Sequence, residues 1–217
     1  AWQEGVDVQF EPGIGLVVES RDGEFGLAIR TRAQVQGAFF YPEAPESFAG
    51  DLGASGDDGA ITFMIRRARV VLAGHAFGEH NRFTLQLALA PRDMDWDPET
   101  GPRFTPLRDF YADFTYLREL NVRVGQYKLP FTLERVTSSG NLQMVDRSIV
   151  NAEFSLDRDL AIDVRTRDFL GLGWLRYYAG VASGEGRDSG FGADLGFFYF
   201  ARVEVLPFGM FRDYEQG

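Results

Sequence analysis

The stretch FGLAIRTRAQVQ, residues 25–36, decides the fold class. Its odd positions are apolar or small apart from Thr31, and its even positions from residue 30 onward are Arg30, Arg32, Gln34 and Gln36. A strand places alternate side chains on opposite faces, whereas a helix would scatter these four polar side chains around its circumference. The stretch therefore predicts a strand whose polar face meets bulk water in a soluble sandwich or a wet lumen in a membrane barrel.

The composition excludes several classes of protein. The chain has 217 residues with 25 glycines and 20 phenylalanines, a content typical of a twisted all-β fold with many turns. It contains no run of 18 apolar residues that could form a membrane-spanning helix. The absence of cysteine excludes disulfides and thiolate metal sites. A net charge of −10 argues against a nucleic-acid partner.

Strand signals recur at hairpin spacing, and helical periodicity is nowhere sustained. Asp22 and Gly23 predict a tight turn between the first two strands, because Asp-Gly supplies the positive φ that such a turn needs. Polar loops are predicted at residues 42–59 and 91–106, and a long aperiodic segment at residues 130–159. About nine strands are expected, at residues 14–20, 25–41, 61–77, 82–90, 108–117, 121–129, 160–167, 172–183 and 191–206.

Three features favour a transmembrane barrel over a soluble sandwich. Several strands reach the ~9–11 residues that a tilted strand needs to cross a bilayer. Short turns alternate with long polar loops, as they do when the two ends of a barrel face different compartments. Aromatic residues near strand ends would form an interfacial girdle: Phe39, Phe40, Tyr41, Trp174, Tyr177, Tyr178 and residues 197–200. We expect an antiparallel transmembrane β-barrel, with a soluble sandwich or small-barrel binding module as the alternative.

Five segments, in order, resemble the phosphate-selective porin family of Gram-negative outer membranes. They are GLVVESRDGEFGLAIRTRAQ (15–34), FMIRRARVVLAG (63–74), RDFYADFTYLRELNVRVGQYKLPFTLE (108–134), MVDRS (144–148) and ARVEVLPFG (201–209). The resemblance implies a sixteen-stranded β-barrel, usually a homotrimer, whose third extracellular loop folds inward and narrows the pore. Residues 130–159 would be that constriction loop. Because about nine strands are visible, we expect residues 1–217 to be the N-terminal portion of a single barrel domain.

The resemblance also implies a function. We expect a passive diffusion channel in the bacterial outer membrane that prefers small anions such as phosphate, without enzymatic activity or a cofactor. Two alternatives remain open. One is a structural or anchoring barrel within an envelope complex that includes other envelope proteins. The other is a general-diffusion porin without anion selectivity.

The polar faces of the predicted strands are net positive. They carry ten arginines against five carboxylates: Arg30, Arg32, Arg67, Arg69, Arg82, Arg123, Arg165, Arg167, Arg176 and Arg202 against Asp109, Asp113, Asp163, Asp194 and Glu204. A positive wall in a narrow passage favours anions, and the planar guanidinium can bind phosphate through two parallel hydrogen bonds. The alternative is that these arginines pair with the carboxylates across strands and only hold the barrel's shape.

The predicted anion path consists of Arg30, Arg32, Arg67, Arg69, Arg123 and Lys128. For some of these residues to face the lumen, their strands must depart locally from strict alternation. Residues 61, 63 and 65 are apolar and in phase with Arg67 and Arg69, so a β-bulge near Arg66 is expected to change the face. Lys128 is in phase with Val124, so only a register change at Gly125 would turn it inward.

No other constellation predicts a catalytic or metal site. His75 and His80 flank a turn and are expected to be surface residues. Three aspartates alternate at positions 93, 95 and 97 but lack the glycine and distal glutamate of an EF-hand. A solvated acidic loop is therefore expected there.

Overall fold

The computed structural model describes residues 5–39, 61–97, 101–140, 147–187 and 196–209. The described strands are β1 (Val6–Glu11), β2 (Gly15–Ser20), β3 (Phe25–Phe39), β4 (Ile61–Ala76), β5 (Asn81–Ala88), β6 (Asp95–Asp97), β7 (Gly101–Arg103), β8 (Leu107–Leu117), β9 (Leu120–Lys128), β10 (Arg158–Thr166), β11 (Leu175–Ala182) and β12 (Phe198–Val205). Two short α-helices, α1 (Leu133–Val136) and α2 (Ile149–Phe154), and two 3₁₀ turns (Pro91–Asp93 and Phe169–Gly171) complete the described elements.

The predicted all-β antiparallel architecture is confirmed. Ten strands form one sheet in the order β1-β2-β3-β4-β5-β8-β9-β10-β11-β12, so neighbours in the sheet are also consecutive strands of the meander. Strands β6 and β7 form a separate small hairpin within the predicted loop 91–106. Strand β1 is an addition to the predicted strands, the first of which begins at residue 14. Among the described residues, no helix is both long enough and apolar enough to cross a membrane.

The chain forms two compact units. The first comprises the described residues of Ala1–Arg30, Val71–Gln86 and Leu107–Gly217. The second comprises those of Thr31–Val70 and Leu87–Pro106. The predicted loop 42–59, most of the motif MVDRS and Asp194 lie outside the described residues.

The turn between β2 and β3 forms as predicted. Gly23 adopts a φ of +72°, which a residue with a side chain rarely does. The Asp22 carboxylate accepts hydrogen bonds from the Glu24 backbone N–H at 3.0 Å and from the Ser20 hydroxyl at 2.5 Å. Ser20 in turn accepts a bond from the Phe25 N–H at 2.9 Å. Hydrogen bonds to nearby side chains thus satisfy backbone N–H groups at the tip of this hairpin.

Burial in the strands is the reverse of that in a soluble protein. On β12 the apolar Val203 is 68% exposed, while the neighbouring polar positions Arg202 and Glu204 are half-buried. On β3 the odd positions from Thr31 onward are exposed and the even positions, which include Arg32, are half-buried. We call these the apolar face and the polar face of the sheet. An exposed face of large apolar side chains indicates a surface that is covered by something other than water.

The alternation of residues in the sequence predicts that Leu85, Leu87, Phe110 and Phe114 point outward. Phe110 and Phe114 are exposed on β8, as expected. Leu85 and Leu87 on β5 are half-buried. The girdle prediction needs a correction, because Tyr178 and Phe200 lie on the polar face rather than at an outer rim. The alternation of side chains along β11 and β12 decides the face on which these two rings lie, although both are in clusters of aromatic residues near strand ends.

In β4 the alternation between exposed and buried side chains changes near Arg66, where the sequence predicts a change of face. Phe63 and Ile65 are 73% and 57% exposed, whereas Arg67 and Arg69 are only 4% and 7% exposed. Strict alternation would put all four side chains on the same face. The exposure pattern therefore changes phase between residues 65 and 67, and both arginines are buried.

Candidate functional site

Six basic side chains converge on one cavity in the first unit. The cavity has a volume of about 250 Å³ and is lined by residues of β8 to β12 and of the segment that contains α1. Its polar lining comprises Arg123, Lys128, Arg165, Arg167, Arg176, Arg202, Glu204, Tyr111, Tyr178, Thr137 and Thr166. We call this the basic cavity. Two residues of the predicted anion path, Arg123 and Lys128, belong to it.

Strand register brings most of these side chains together. Arg123 on β9 lies opposite Asp113 on β8 and opposite Asp163 on β10. Arg176 on β11 lies opposite Glu204 on β12. Directly opposed residues of antiparallel strands have Cβ atoms about 5 Å apart, close enough for opposite charges to attract each other. The pattern of alternating charges on neighbouring strands therefore becomes a connected set of ion pairs.

The ion pairs leave a surplus of positive charge. Arg123 holds Asp113 by two bonds of 2.6 and 2.7 Å, and Arg165 pairs with Asp163. Glu204 lies 2.7 Å from Arg202 and 3.8 Å from Arg176, so two guanidinium groups share one carboxylate. The six cations around the cavity are thus balanced by three carboxylates, Asp113, Asp163 and Glu204. With Lys128 protonated, the described groups of the basic cavity carry a net charge of about three positive units.

Tyrosine rings orient two of the arginines. The Arg123 guanidinium lies 3.9 Å from the centre of the Tyr111 ring, and Arg165 lies 5.3 Å from the Tyr127 ring and 5.4 Å from the Tyr178 ring. Tyr127 is almost fully buried, and its hydroxyl donates to Asp163. Stacking on an aromatic face is attractive for a guanidinium and leaves its edge N–H groups available. The Nε and Nη2 groups of both arginines donate to Asp113 and Asp163, respectively, so the rings and the carboxylates together fix the two guanidinium groups.

Lys128 reaches the basic cavity without a shift of strand pairing. Strand β9 pairs with β10 continuously from Asn121 to Lys128, so the predicted register change at Gly125 is wrong for this pair. Gly125 nevertheless has a φ of +128°, and a Cβ there would lie 2.2 Å from the Phe110 carbonyl oxygen. Lys128 is the last residue of the strand, and its Nζ donates to the Thr137 carbonyl at 3.4 Å. Its position at the strand end lets it turn towards the loop.

The remaining predicted path residues lie elsewhere. Arg30 is half-buried on β3 in the first unit. Arg32, Arg67 and Arg69 belong to the second unit, where Arg67 donates to the Gln34 side chain at 2.7 Å.

Asp93 corrects the expectation of a solvated acidic loop. It forms a buried ion pair with Arg69, and these two residues are 5% and 7% exposed, respectively. Burying a charge without a partner is costly, so the carboxylate and the guanidinium are buried together. The connection after β5 is thereby tied to β4 within the second unit.

The segment predicted as a constriction loop is held together by its own side chains. Glu134 accepts hydrogen bonds from the Ser148 backbone N–H at 2.6 Å and from the Ser148 hydroxyl at 2.8 Å. Arg147 donates to the backbone carbonyls of Glu134 at 3.0 Å and Thr137 at 2.7 Å. The last two residues of MVDRS thus connect α1 to the start of α2. The bonds from Ser148 also lower the pKa of the Glu134 carboxyl.

A second set of charges holds the end of this segment. Arg158 is 2% exposed and binds Asp109 through two bonds of 2.9 and 3.0 Å. It also lies 3.1 Å from Asp157, which pairs with Arg135 of α1. Burial alone would raise the pKa of Asp157, but the guanidinium groups of Arg158, Arg135 and Arg108 bring it below the usual range. These pairs join α1, the start of β10 and the polar face of β8.

Several of these residues are not predicted by the sequence pattern. Arg158 was not placed on a strand, because the aperiodic segment before it concealed where β10 begins. Tyr111, Tyr127 and Tyr178 were not identified as partners of arginine. The signal was present, since Tyr111 is in phase with Asp113, and Tyr127 is in phase with Arg123. Alternation alone would have put these rings on the polar face.

Part of the chain matches the model of a known protein family. Residues 46–188, about two thirds of the chain, match the model described as phosphate-selective porin O and P. The matched range contains β4 to β11 and all of the segment that carries α1 and α2. A comparison with the curated proteins gives no match.

Proposed function

The chain belongs to the phosphate-selective porin O and P family, and on this premise we propose that it forms a passive, anion-preferring channel in a bacterial outer membrane. Phosphate is the first anion to test. We infer the role as a channel from the family, and we infer the preference for anions from the charged side chains of this chain. The bilayer covers the exposed apolar face, and a homotrimer is the assembly that we propose for the native protein.

The observation that carries the proposal is the charge surplus of the basic cavity. Six cations meet three carboxylates there, although the whole chain carries a net charge of −10. Charges that line a narrow passage act on a passing ion with less screening than charges on an open surface. An anion is stabilised in such a passage and a cation is repelled. Guanidinium groups also carry planar N–H donors that suit phosphate oxygens.

We assign the pore-lining role to two groups of residues. The first is the predicted path of Arg30, Arg32, Arg67, Arg69, Arg123 and Lys128. The second adds the other cations of the basic cavity, Arg165, Arg167, Arg176 and Arg202. In both groups the contacts to Asp93, Asp113, Asp163 and Glu204 reduce the charge that an anion meets. Residues whose cation is not matched by a described carboxylate, such as Lys128 and Arg167, then contribute most to selectivity.

We propose further that residues 130–159 narrow the pore. Leu133, Val136 and Thr137 contribute to the lining of the basic cavity, which brings this segment next to the polar face. Lys128 and Arg202 donate to the backbone carbonyls of Thr137 and Phe131, both at 3.4 Å. An anion that passes the segment therefore passes these two cations.

A general-diffusion porin is the second candidate, and the ion pairs favour it. Arg69, Arg123 and Arg165 each contact a carboxylate, as they would in a barrel that uses them for stability alone. The two candidates differ in what they predict for ion preference. Such a porin would pass chloride and potassium with similar ease and would not be blocked by phosphate.

The full-length protein in planar bilayers provides the test. Under a potassium chloride gradient, the reversal potential should have the sign expected for chloride preference. Inorganic phosphate added to one side should reduce the chloride current, because it binds in the same passage. A reversal potential near zero together with no block by phosphate would favour the general-diffusion porin instead.

Removing Glu134 should loosen the proposed constriction. The substitution Glu134→Ala removes both bonds to Ser148, so we expect a larger and noisier single-channel conductance at pH 7. The matched control is Glu185→Ala, which removes an exposed carboxylate from the connection after β11. Control recordings should resemble those of the unmodified channel.

The same contact should depend on pH. Because the pKa of Glu134 is lowered in the folded loop, its stabilising effect is complete above the ordinary glutamate pKa of about 4.3 and is lost as the pH falls through the lowered value. Recordings on acidification should therefore become noisier in the unmodified channel and change less in Glu134→Ala. Equal responses of the two proteins to acid would show that Glu134 does not hold the loop.

A further inference from the structure

An apolar cavity lies beside the basic cavity. It has a volume of about 140 Å³, and its walls include Leu129, Phe131, Leu156, Phe198, Phe200 and Arg202. Apart from Arg202, these side chains are aliphatic or aromatic, which is unusual next to the polar face of a channel.

The recess is built by the fold rather than left by loose packing. Phe198 and Phe200 occupy polar-face positions of β12 and stack with their ring centres 6.4 Å apart. Both rings pack against a buried cluster that contains Tyr127 and Leu129. Gly180 on β11 makes room for one of them, since a Cβ at this position would lie 2.8 Å from the Phe200 ring. The two rings are therefore fixed as one wall of the cavity.

The two cavities share two residues. Pro130 and Arg202 line both of them. Arg202 donates to the Phe131 carbonyl at 3.4 Å and contacts Glu204 at 2.7 Å, while Arg176 lies near the same carboxylate. Two guanidinium groups for one carboxylate leave a positive charge at the border. A ligand that bridged the border would place an anionic group on one side and an apolar group on the other.

We propose that the two cavities form one site for an organic anion, a phosphate monoester or carboxylate that carries an aromatic or compact aliphatic group. The inference rests on the proposed function, since the ligand must enter the same pore. The anionic group lies in the basic cavity near Arg202 and Arg176. The apolar group lies against Phe131, Phe198 and Phe200.

The size of the apolar cavity fits one ring. An engineered cavity of about 150 Å³ lined by apolar side chains binds benzene, so a volume of about 140 Å³ is sufficient for a phenyl group. Each buried methylene-sized group strengthens binding by a factor of about four, so even partial burial of a ring gives about a tenfold gain. Inorganic phosphate cannot obtain this gain because it has no apolar part.

Block of the chloride current by three anions tests the inference. Phenyl phosphate, methyl phosphate and inorganic phosphate are added separately to the full-length channel in planar bilayers. Phenyl phosphate should block at about tenfold lower concentration than methyl phosphate, which has the same charged group. In Phe131→Ala and in Phe200→Ala this preference should fall to about twofold or less, while block by inorganic phosphate stays unchanged. The matched control Phe197→Ala removes an exposed ring outside both cavities and should retain the preference.

The outcomes separate this inference from the proposed function. An anion-preferring channel that phenyl and methyl phosphate block equally would overturn the inference alone. A preference for phenyl phosphate that persists in both Phe131→Ala and Phe200→Ala would overturn the placement of the ring and thus the site. A channel that prefers cations and is blocked by none of the three anions would overturn the proposed function and the inference together.

Discussion

Replacing Lys128 and Arg167 together with glutamate should turn the channel from anion-preferring to cation-preferring. Both side chains line the basic cavity, and no ion pair of either is found within the described part of the chain. The substitutions change the charge around the cavity by four units, from three positive to one negative. At about 8 Å in a water-like dielectric, each reversal changes the energy of a passing anion by about 1 kcal/mol. The pair should then lower the permeability to chloride on the order of 30-fold, and the opposite effect on potassium changes the permeability ratio of the two ions by more than that.

Reversal potentials in a potassium chloride gradient measure this ratio directly. The neutral double variant Lys128→Met with Arg167→Gln should fall between the unmodified channel and the glutamate variant. Arg21→Glu is the matched control, because Arg21 is an exposed cation in the turn after β2, outside the basic cavity. Its reversal potential should not change. If the glutamate variant kept the reversal potential of the unmodified channel, the cavity would not lie on the path of the ions.

Arg158→Ala should destabilise the folded protein by about 3–5 kcal/mol. The arginine side chain is 1% exposed and that of its partner Asp109 is 12% exposed, so water can replace little of the lost interaction. Removing the guanidinium leaves a largely buried carboxylate with fewer donors, and it also loosens Asp157 at the end of the loop. The free energy of unfolding can be measured from tryptophan fluorescence in urea, with the protein reconstituted in lipid vesicles.

An exposed arginine supplies the control for this experiment. The Arg118 side chain is 66% exposed and pairs with Asp168 at 3.3 Å, so Arg118→Ala should cost less than about 1 kcal/mol.

A second variant tests whether the cost comes from an unpaired charge. Arg158→Met combined with Asp109→Leu removes both charges and should recover most of the lost stability. Equal costs for Arg158→Ala and Arg118→Ala would show that the buried pair contributes no more than a surface contact.

Sequence alternation predicted the faces of the strands well where a strand was long and regular. On β3 the polar positions from Arg32 onward are the less exposed ones, as the period of two requires. Even the irregularity in β4 could be predicted, because Arg67 and Arg69 would otherwise share a face with Phe63 and Ile65. These features follow from the identity of neighbouring residues within one strand.

The long connections could not be predicted in the same way. Residues 130–159 show no period because their contacts run from loop to loop and from loop to sheet, as Glu134 with Ser148 and Arg158 with Asp109 do. The burial of Asp93 likewise depends on a contact with a residue that is distant in the sequence. Its acidic neighbours in the sequence indicated a solvated loop, but it lies buried against Arg69. A charge can be buried when a partner from a distant strand is buried with it.

By itself the sequence determined the all-β class, the ends of most strands and the face to which each regular strand directs its arginines. These properties depend on the backbone period and on the cost of placing charge on an apolar face, which act within a few residues. Only the tertiary structure decided which arginines form an ion pair with a carboxylate and which stack on a tyrosine ring. It also decided that Arg202 lines two cavities. Those outcomes depend on the register between strands and on the path of the long connections, because a charge is compensated by its neighbours in space.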